Sequence, residues 1–367
     1  MVLIIEQEPP LTETNVSHKI NTVTFTANGE YLVSGGSEDV RVSRVQDGKR
    51  MATMATSGKV SCLAVSKDGR WIAAGTFLGE ILVWEAKTYE KIVLKTDNYT
   101  YASTAVDFSP DSIRLVTASR KSTVTVWDIA ARQRVFVLDH KEWVIAAKYS
   151  PQGDRIATAT WVSVLVWDSN DGCLLVDIPV EVIPRYNTGL LWSNSHIFVI
   201  SNENIKEIDA STGSLVSGWP VSDTNDDSCI SLLQHGNFVA YSARGGTTVW
   251  DTSTHNQLCS IPQYHNTKHC SIALSPDGRF LAIAAEDGKI IISRPSHIVV
   301  SFVHCRVAAH LNSNFSAKSP LPSIIFPHQA QSFCLVYLPH SRSQKFLSTT
   351  LRSRCGSTID SRTRKNY

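Results

Sequence analysis

The run "CSIPQYHNTKHC", Cys259 to Cys270, brings Cys259, His265, His269 and Cys270 close together. Those residue types suit zinc. Their spacing does not, because His269 and Cys270 open an apolar run that reads as a strand, where successive side chains point to opposite faces. "SDTNDDSC", residues 222–229, sets Asp223, Asn225 and Asp227 at alternate positions, as a calcium loop would. Its sixth position is Ser228 rather than glycine and its twelfth Gln234 rather than glutamate, so the coordination shell fails. There is no GxxxxGK[ST] phosphate loop, no GxGxxG, no GxSxG and no HExxH. The expectation is a protein with no catalytic residues, no cofactor and no metal, and not an enzyme.

The eight cysteines form no CxxC pair and no disulfide framework; Cys62 and Cys173 fall in or beside predicted strands, where cysteine acts as a small hydrophobe. No run of eighteen apolar residues reads as a membrane span. "MVLIIEQEPP" has too short an apolar stretch and acidic flanks for a signal peptide. These features set the expectation of an intracellular protein, cytoplasmic or nuclear, with no membrane partner.

The elements repeat. "EILVWEA" (Glu80–Ala86), "TVTVWD" (Thr123–Asp128), "VLVWDS" (Val164–Ser169) and "TTVWDT" (Thr247–Thr252) are near-copies of one alternating strand. Filling the gaps with Ser43, Ile208 and Ser293 in the tryptophan slot gives register points 43, 84, 127, 167, 208, 250 and 293. A second motif keeps the same beat: "FTANG" at Phe25, "VSKDG" at Val65, "FSPDS" at Phe108, "YSPQG" at Tyr149 and "LSPDG" at Leu274, with weaker versions at 192–196 and 233–237. Proline, Asp or Asn, and glycine each favour a tight turn for a different physical reason. Each unit reads strand, turn, strand, short turn, strand ending in Trp-Asp, then a looser outer strand, which is the pattern of a propeller blade.

On these residues the chain resembles the WD40-repeat β-propeller family over about residues 1–300. The predicted fold is all-β: a seven-bladed WD40-type β-propeller over 1–300, followed by a C-terminal tail over 301–367. The resemblance implies a buried network in each blade of a histidine, a serine or threonine, a turn aspartate and the tryptophan. No blade carries the full set. Blade four has His140, Thr158 and Trp167, but "TWVS" lacks the aspartate.

The net charge of +2 hides an asymmetry, since residues 301–367 carry nine Lys/Arg, one acid and twelve serines. The tail reads as a disordered basic appendage, as a docking arm for nucleic acid or an acidic partner, or as sequence not under selection. For ring closure, Val2–Ile5 ("VLII") is the favoured outer strand of the last blade, with His297–Val303 as competitor.

A propeller without catalytic groups offers loops around a rim. The resemblance implies that residues leading into the inner strand and the turns between second and third strands share one rim. The first set reads Lys19, Lys59, Ala102, Trp143, Arg185, Asp226 and Lys268. Together the two sets make Phe77, Arg120, Lys121, Trp143, Trp161, Arg185 and Arg244 the candidate partner-binding residues, because aromatics and arginine dominate interface hot spots. Trp161 could instead wedge between blades as core. The predicted function is a non-catalytic scaffold for proteins or peptides, acidic or phosphorylated segments included. The alternative is nucleic-acid or chromatin association through the basic tail and rim.

Overall fold

A computed structural model describes residues 12–293 apart from 16–18, 95–100, 183–189, 202–203, 221–230, 236–237, 244–245, 253, 263–268, 278–279 and 286. The expectations for Val2–Ile5, His297–Val303, Arg185, Arg244, His265 and the tail fall on residues outside this set.

The described residues form strands and turns, without helices. Strands β2 (Ile20–Phe25), β3 (Tyr31–Gly36), β4 (Asp39–Arg44) and β5 (Arg50–Ala55) pair in order as one antiparallel sheet. The second sheet is β6 (Val60–Val65), β7 (Trp71–Thr76), β8 (Ile81–Glu85) and β9 (Lys91–Leu94). The third is β10 (Ser103–Phe108), β11 (Arg114–Ser119), β12 (Thr123–Asp128) and β13 (Gln133–Asp139), and the fourth is β14 (Val144–Tyr149), β15 (Arg155–Thr160), β16 (Val164–Asp168) and β17 (Leu174–Ile178). The fifth holds β18 (Leu190–Ser193), β19 (His196–Ser201), β20 (Asn204–Asp209) and β21 (Leu215–Pro220). The sixth holds β22 (Ser231–His235), β23 (Phe238–Ala243), β24 (Gly246–Asp251) and β25 (Gln257–Pro262). These six blades each use four consecutive strands. A further, composite sheet joins β26 (His269–Leu274), β27 (Leu281–Ala285) and β28 (Lys289–Ser293) to β1 (Thr12–Asn15) from the other end of the described chain. Inner strands touch in the cycle β2, β6, β10, β14, β18, β22, β26 and back to β2, which makes the fold a propeller.

Closure corrects the sequence reading. The slot beside β28 is filled by Thr12–Asn15, paired with Ile292–Lys289, not by Val2–Ile5. Linker length explains the difference. Four residues separate β1 from β2, as four separate β5 from β6. An apolar alternating run is not required of an outer strand with one edge facing solvent, so "TETN" carried no hydrophobic signal.

Alternation packs the blades. Val124 and Val126 of β12 lie with β14 and β15 residues in one cluster, while Trp127 joins β8, β9 and β10 residues in the next. The Ser-Pro-Asp turns are built as their sequence implies. Ser109 Oγ donates to Asp111 Oδ1 at 2.5 Å and accepts from Arg114 N at 2.9 Å. Burial pushes the Asp111 carboxyl up, but the bonds from Ser109 and Ile113 and the Arg114 charge outweigh it and hold it below its ordinary value. In "FSPDS" the glycine slot is Ser112, at φ 63°. Its hydroxyl accepts from Asp68 N of the preceding blade at 3.1 Å, tying two turns together.

Neighbouring blades are latched by side chains as well as by apolar contact. Arg114 Nη1 donates to Ser169 O at 2.6 Å, and Lys148 Nζ pairs with Asp107 Oδ1 at 2.7 Å. Thr104 Oγ1 donates to Val144 O at 2.8 Å.

Blade four holds the three network residues that the sequence supplies. Trp167 Nε1 donates to Thr158 Oγ1 at 2.8 Å, and Thr158 Oγ1 lies 2.8 Å from His140 Nε2. His140 Nδ1 lies 3.0 Å from the Leu138 carbonyl, which can only accept. Nδ1 therefore carries a proton; in the neutral ring that burial favours, the threonine hydroxyl turns its single proton to Nε2 rather than to Leu165 O, 3.4 Å away. Burial pushes the His140 pKa down, against the opposing pull of the Leu138 carbonyl and the Asp139 charge. A folded chain that binds this proton less readily than the unfolded chain loses stability as pH falls. The contribution is complete above the unfolded pKa of about 6.5 and drains away below it. Melting temperature is expected to fall between about pH 7 and pH 5, and His140→Gln to flatten that slope. An unchanged slope in the variant would rule His140 out as the titrating group.

Candidate functional site

In blades two and three the rim joins two loop sets by backbone hydrogen bonds. Phe77 N donates to Lys59 O at 2.8 Å and Arg120 N to Ala102 O at 3.1 Å. Val182 N donates to Trp161 O at 3.1 Å, carrying the same side onward to the next linker. The turn residues and the residues leading into the inner strands are therefore held side by side, as a rim surface needs.

Five of the seven predicted partner-binding residues are described, and the structure distributes them over blades two to four. Phe77 is half-buried, with the Lys59 ammonium 4.9 Å above its ring centre. Arg120 is half-buried and Lys121 exposed, both in the β11–β12 turn. Trp143, immediately before β14, is 59% exposed. Trp161, in the β15–β16 turn, is 50% exposed, and its indole N–H donates to Glu142 Oε2 at 2.8 Å. It does not wedge between blades. Trp84, Trp127 and Trp167 are buried in the Trp-Asp slots instead.

The sequence reading missed three exposed apolar neighbours: Leu78, Tyr101 and Val162. Tyr101 directly precedes Ala102, and Leu78 and Val162 sit beside Phe77 and Trp161 in turns already singled out. The available signal was an apolar residue where a turn ordinarily carries a polar one. Large exposed apolar side chains gathered on one side mark an interaction surface.

Chemistry elsewhere is sparse. Among the described residues no group of three His, Cys, Asp or Glu side chains could hold a metal ion. Burial pushes the Cys62 thiol up to about 11, so it stays protonated and unreactive at neutral pH. No helix of the described residues is long and apolar enough to cross a membrane.

The family described as "WD domain, G-beta repeat" matches residues 48–85, 95–128 and 257–292. The chain carries WD40 repeats in three places. It is 24% identical over 278 residues to a periodic tryptophan protein 2 homolog of Dictyostelium discoideum, covering 74% of this chain and 26% of that protein. It is 24% identical over 320 residues to protein hir1 of Aspergillus fumigatus, covering 76% of this chain and 29% of that one. Likeness to eukaryotic translation initiation factor 3 subunit I of Neurospora crassa is 23% over 309 residues, covering 74% and 87%. The chain thus spans under a third of the length of the first two relatives. The first and third matched segments run from the outer strand of one sheet into the next, at blades one to two and six to the composite blade, and the second takes in β10, β11 and β12 of blade three.

Proposed function

We propose that this WD40 chain is a non-catalytic, intracellular interaction scaffold that receives a partner protein or peptide on the rim of blades two to four. The observation that carries the reading is the exposure of Trp143 and Trp161 on adjacent loops of one rim, when the tryptophans of the Trp-Asp slots of blades two to four are buried. A half-exposed indole gains most by being covered, and it does so at low entropy cost. Arg120 and Lys121 on the neighbouring turn suit a partner segment with acidic or phosphorylated groups, since guanidinium grips oxyanions by paired hydrogen bonds. Likeness to a translation initiation factor subunit supports the intracellular setting. The seven-bladed ring and a separate 301–367 tail complete the proposed organisation.

Partner capture by the wild-type chain and by Trp143→Ala/Arg120→Ala tests it. The double variant is expected to lose roughly 2 kcal/mol or more of binding, the scale of a hot spot. Its melting temperature should stay within about 2 °C of wild type, since surface changes are within about 0.5 kcal/mol. Full capture by the double variant would place the binding face elsewhere. Trp161→Ala is expected to cost about 1 kcal/mol or less of stability, because its ring is already half in water.

A further inference from the structure

The outer strands of blades one, three, four and five share one irregularity. Where each pairs with the third strand of its blade, two of its residues oppose one. These are Arg50 and Met51, Arg134 and Val135, Leu174 and Leu175, and Leu215 and Val216. Such a bulge re-aims a side chain and locally ends regular pairing. The extra residue is apolar and exposed each time: Met51, Val135, Leu175 and Val216.

Blades four and five depart from the other two at the residue before it. Blades one and three place arginine there, and blades four and five place leucine. Leu174, Leu175, Leu215 and Val216 are 49%, 47%, 62% and 51% exposed, so two adjacent blades each present a pair of large apolar side chains to solvent. The turn that opens β21 draws the pairs together. Gly213, at φ 73°, lies so close to β17 that a Cβ there would sit 3.0 Å from Val176 Cγ1 and 3.1 Å from Ile178 Cγ1. Strand β16 runs from the Trp161 turn to the turn that leads into β17, which puts these leucines at the end of the sheet away from the rim.

Charge selects the kind of partner. The exposed carboxylates of Asp171 and Asp177 bracket Leu174 and Leu175 along the chain. The hydrogen bond from Cys173 N holds the Asp171 carboxyl below its ordinary value, so it stays ionised at neutral pH. Blade five brings Lys206, opposite Gly218, so the acidic side of the surface is the blade-four side.

We propose that the perimeter of blades four and five is a second docking surface, fitted to an amphipathic helix that carries lysine or arginine beside its apolar stripe. The bulges favour a helix over an added strand, because they interrupt the free edge that strand addition needs. Exposed apolar side chains gathered on two neighbouring blades mark an interaction surface, and a helical stripe has the shape to cover them. The flanking carboxylates favour a basic segment over an acidic one. This surface goes beyond the rim reading and does not rest on it.

Fluorescence anisotropy of a labelled synthetic helix of leucine and lysine, titrated with the full chain, tests the surface. The same helix with glutamate for lysine is its counterpart. Saturable binding of the lysine helix is expected, with the glutamate helix weaker by about tenfold or more. Leu175→Ser/Val216→Ser should weaken the lysine helix about tenfold or more, and Asp177→Asn about threefold. Met51→Ser/Val135→Ser removes the equivalent bulged side chains from blades one and three and should bind as wild type does. All of these variants are expected to melt close to wild type, since the changed side chains are exposed. Absence of saturable binding overturns the proposal, as does equal affinity for the two helices or an equal loss in the two serine variants. A dimer seen by sedimentation and lost in Leu175→Ser/Val216→Ser would assign the surface to a second copy of the chain and overturn the basic helix. Failure of the rim reading is separate: it shows as partner capture untouched by Trp143→Ala/Arg120→Ala, a result that leaves the helix titration unchanged.

Discussion

A chain that begins at residue 17 is expected to unfold roughly 5–15 °C below the full chain and to aggregate on heating. Removing β1 strips the composite sheet of its outer strand and breaks the four residue pairs between Thr12–Asn15 and Ile292–Lys289. Ladder bonds contribute about 0.5–1.5 kcal/mol each net, and about 1 kcal/mol moves the melting temperature of a domain this size by some 2–4 °C. The loss does not stop at the bonds. Ile290, Ile291 and Ile292 are each 3% exposed, and Ile290 and Ile292 pack against Ile20, Phe25 and Leu32 of blade one. Without β1 these residues stand on an open edge strand, a template for pairing between chains. Removing residues 1–8 alone leaves all four pairs in place and is expected to cost less. Calorimetry of the two truncated chains decides the matter: equal melting temperatures for residues 17–367 and the full chain would show that β1 does not close the ring.

The second large effect is expected from Thr158→Val, which keeps the side-chain shape and removes the hydroxyl. Thr158 is fully buried, and both His140 Nε2 and Trp167 Nε1 depend on its oxygen. Each buried polar group left without a partner costs about 1–3 kcal/mol, so Thr158→Val should cost about 2–5 kcal/mol. Thr117→Val in blade three orphans only Trp127 Nε1 and should cost about half as much. Urea unfolding of the two variants gives the comparison directly. Equal losses would mean that His140 adds nothing to the network.

Much of the architecture was readable from spacing because every blade repeats the same physical problem: bury two faces of a sheet and turn tightly four times. Trp84, Trp127, Trp167 and Trp250 fixed the register, and the Ser-Pro-Asp turns fixed the phase. The closing strand was not readable, because Thr12–Asn15 needs only backbone pairing and so bears no hydrophobic mark. The fate of Trp161 was not readable either. A tryptophan in a turn can wedge inward or lie in water, and the choice was made by Glu142 across the loop, a contact that sequence order does not expose.

The most direct test of the rim account is hydrogen-exchange footprinting of the full chain with and without a captured partner. Protection is expected in the peptides covering 77–79, 101–102, 120–122, 142–143 and 161–163, the loops that carry the exposed aromatics and their basic neighbours. Protection confined to the outer strands, or to the turns on the opposite side of the ring, with these five loops exchanging as in the free chain, would contradict it.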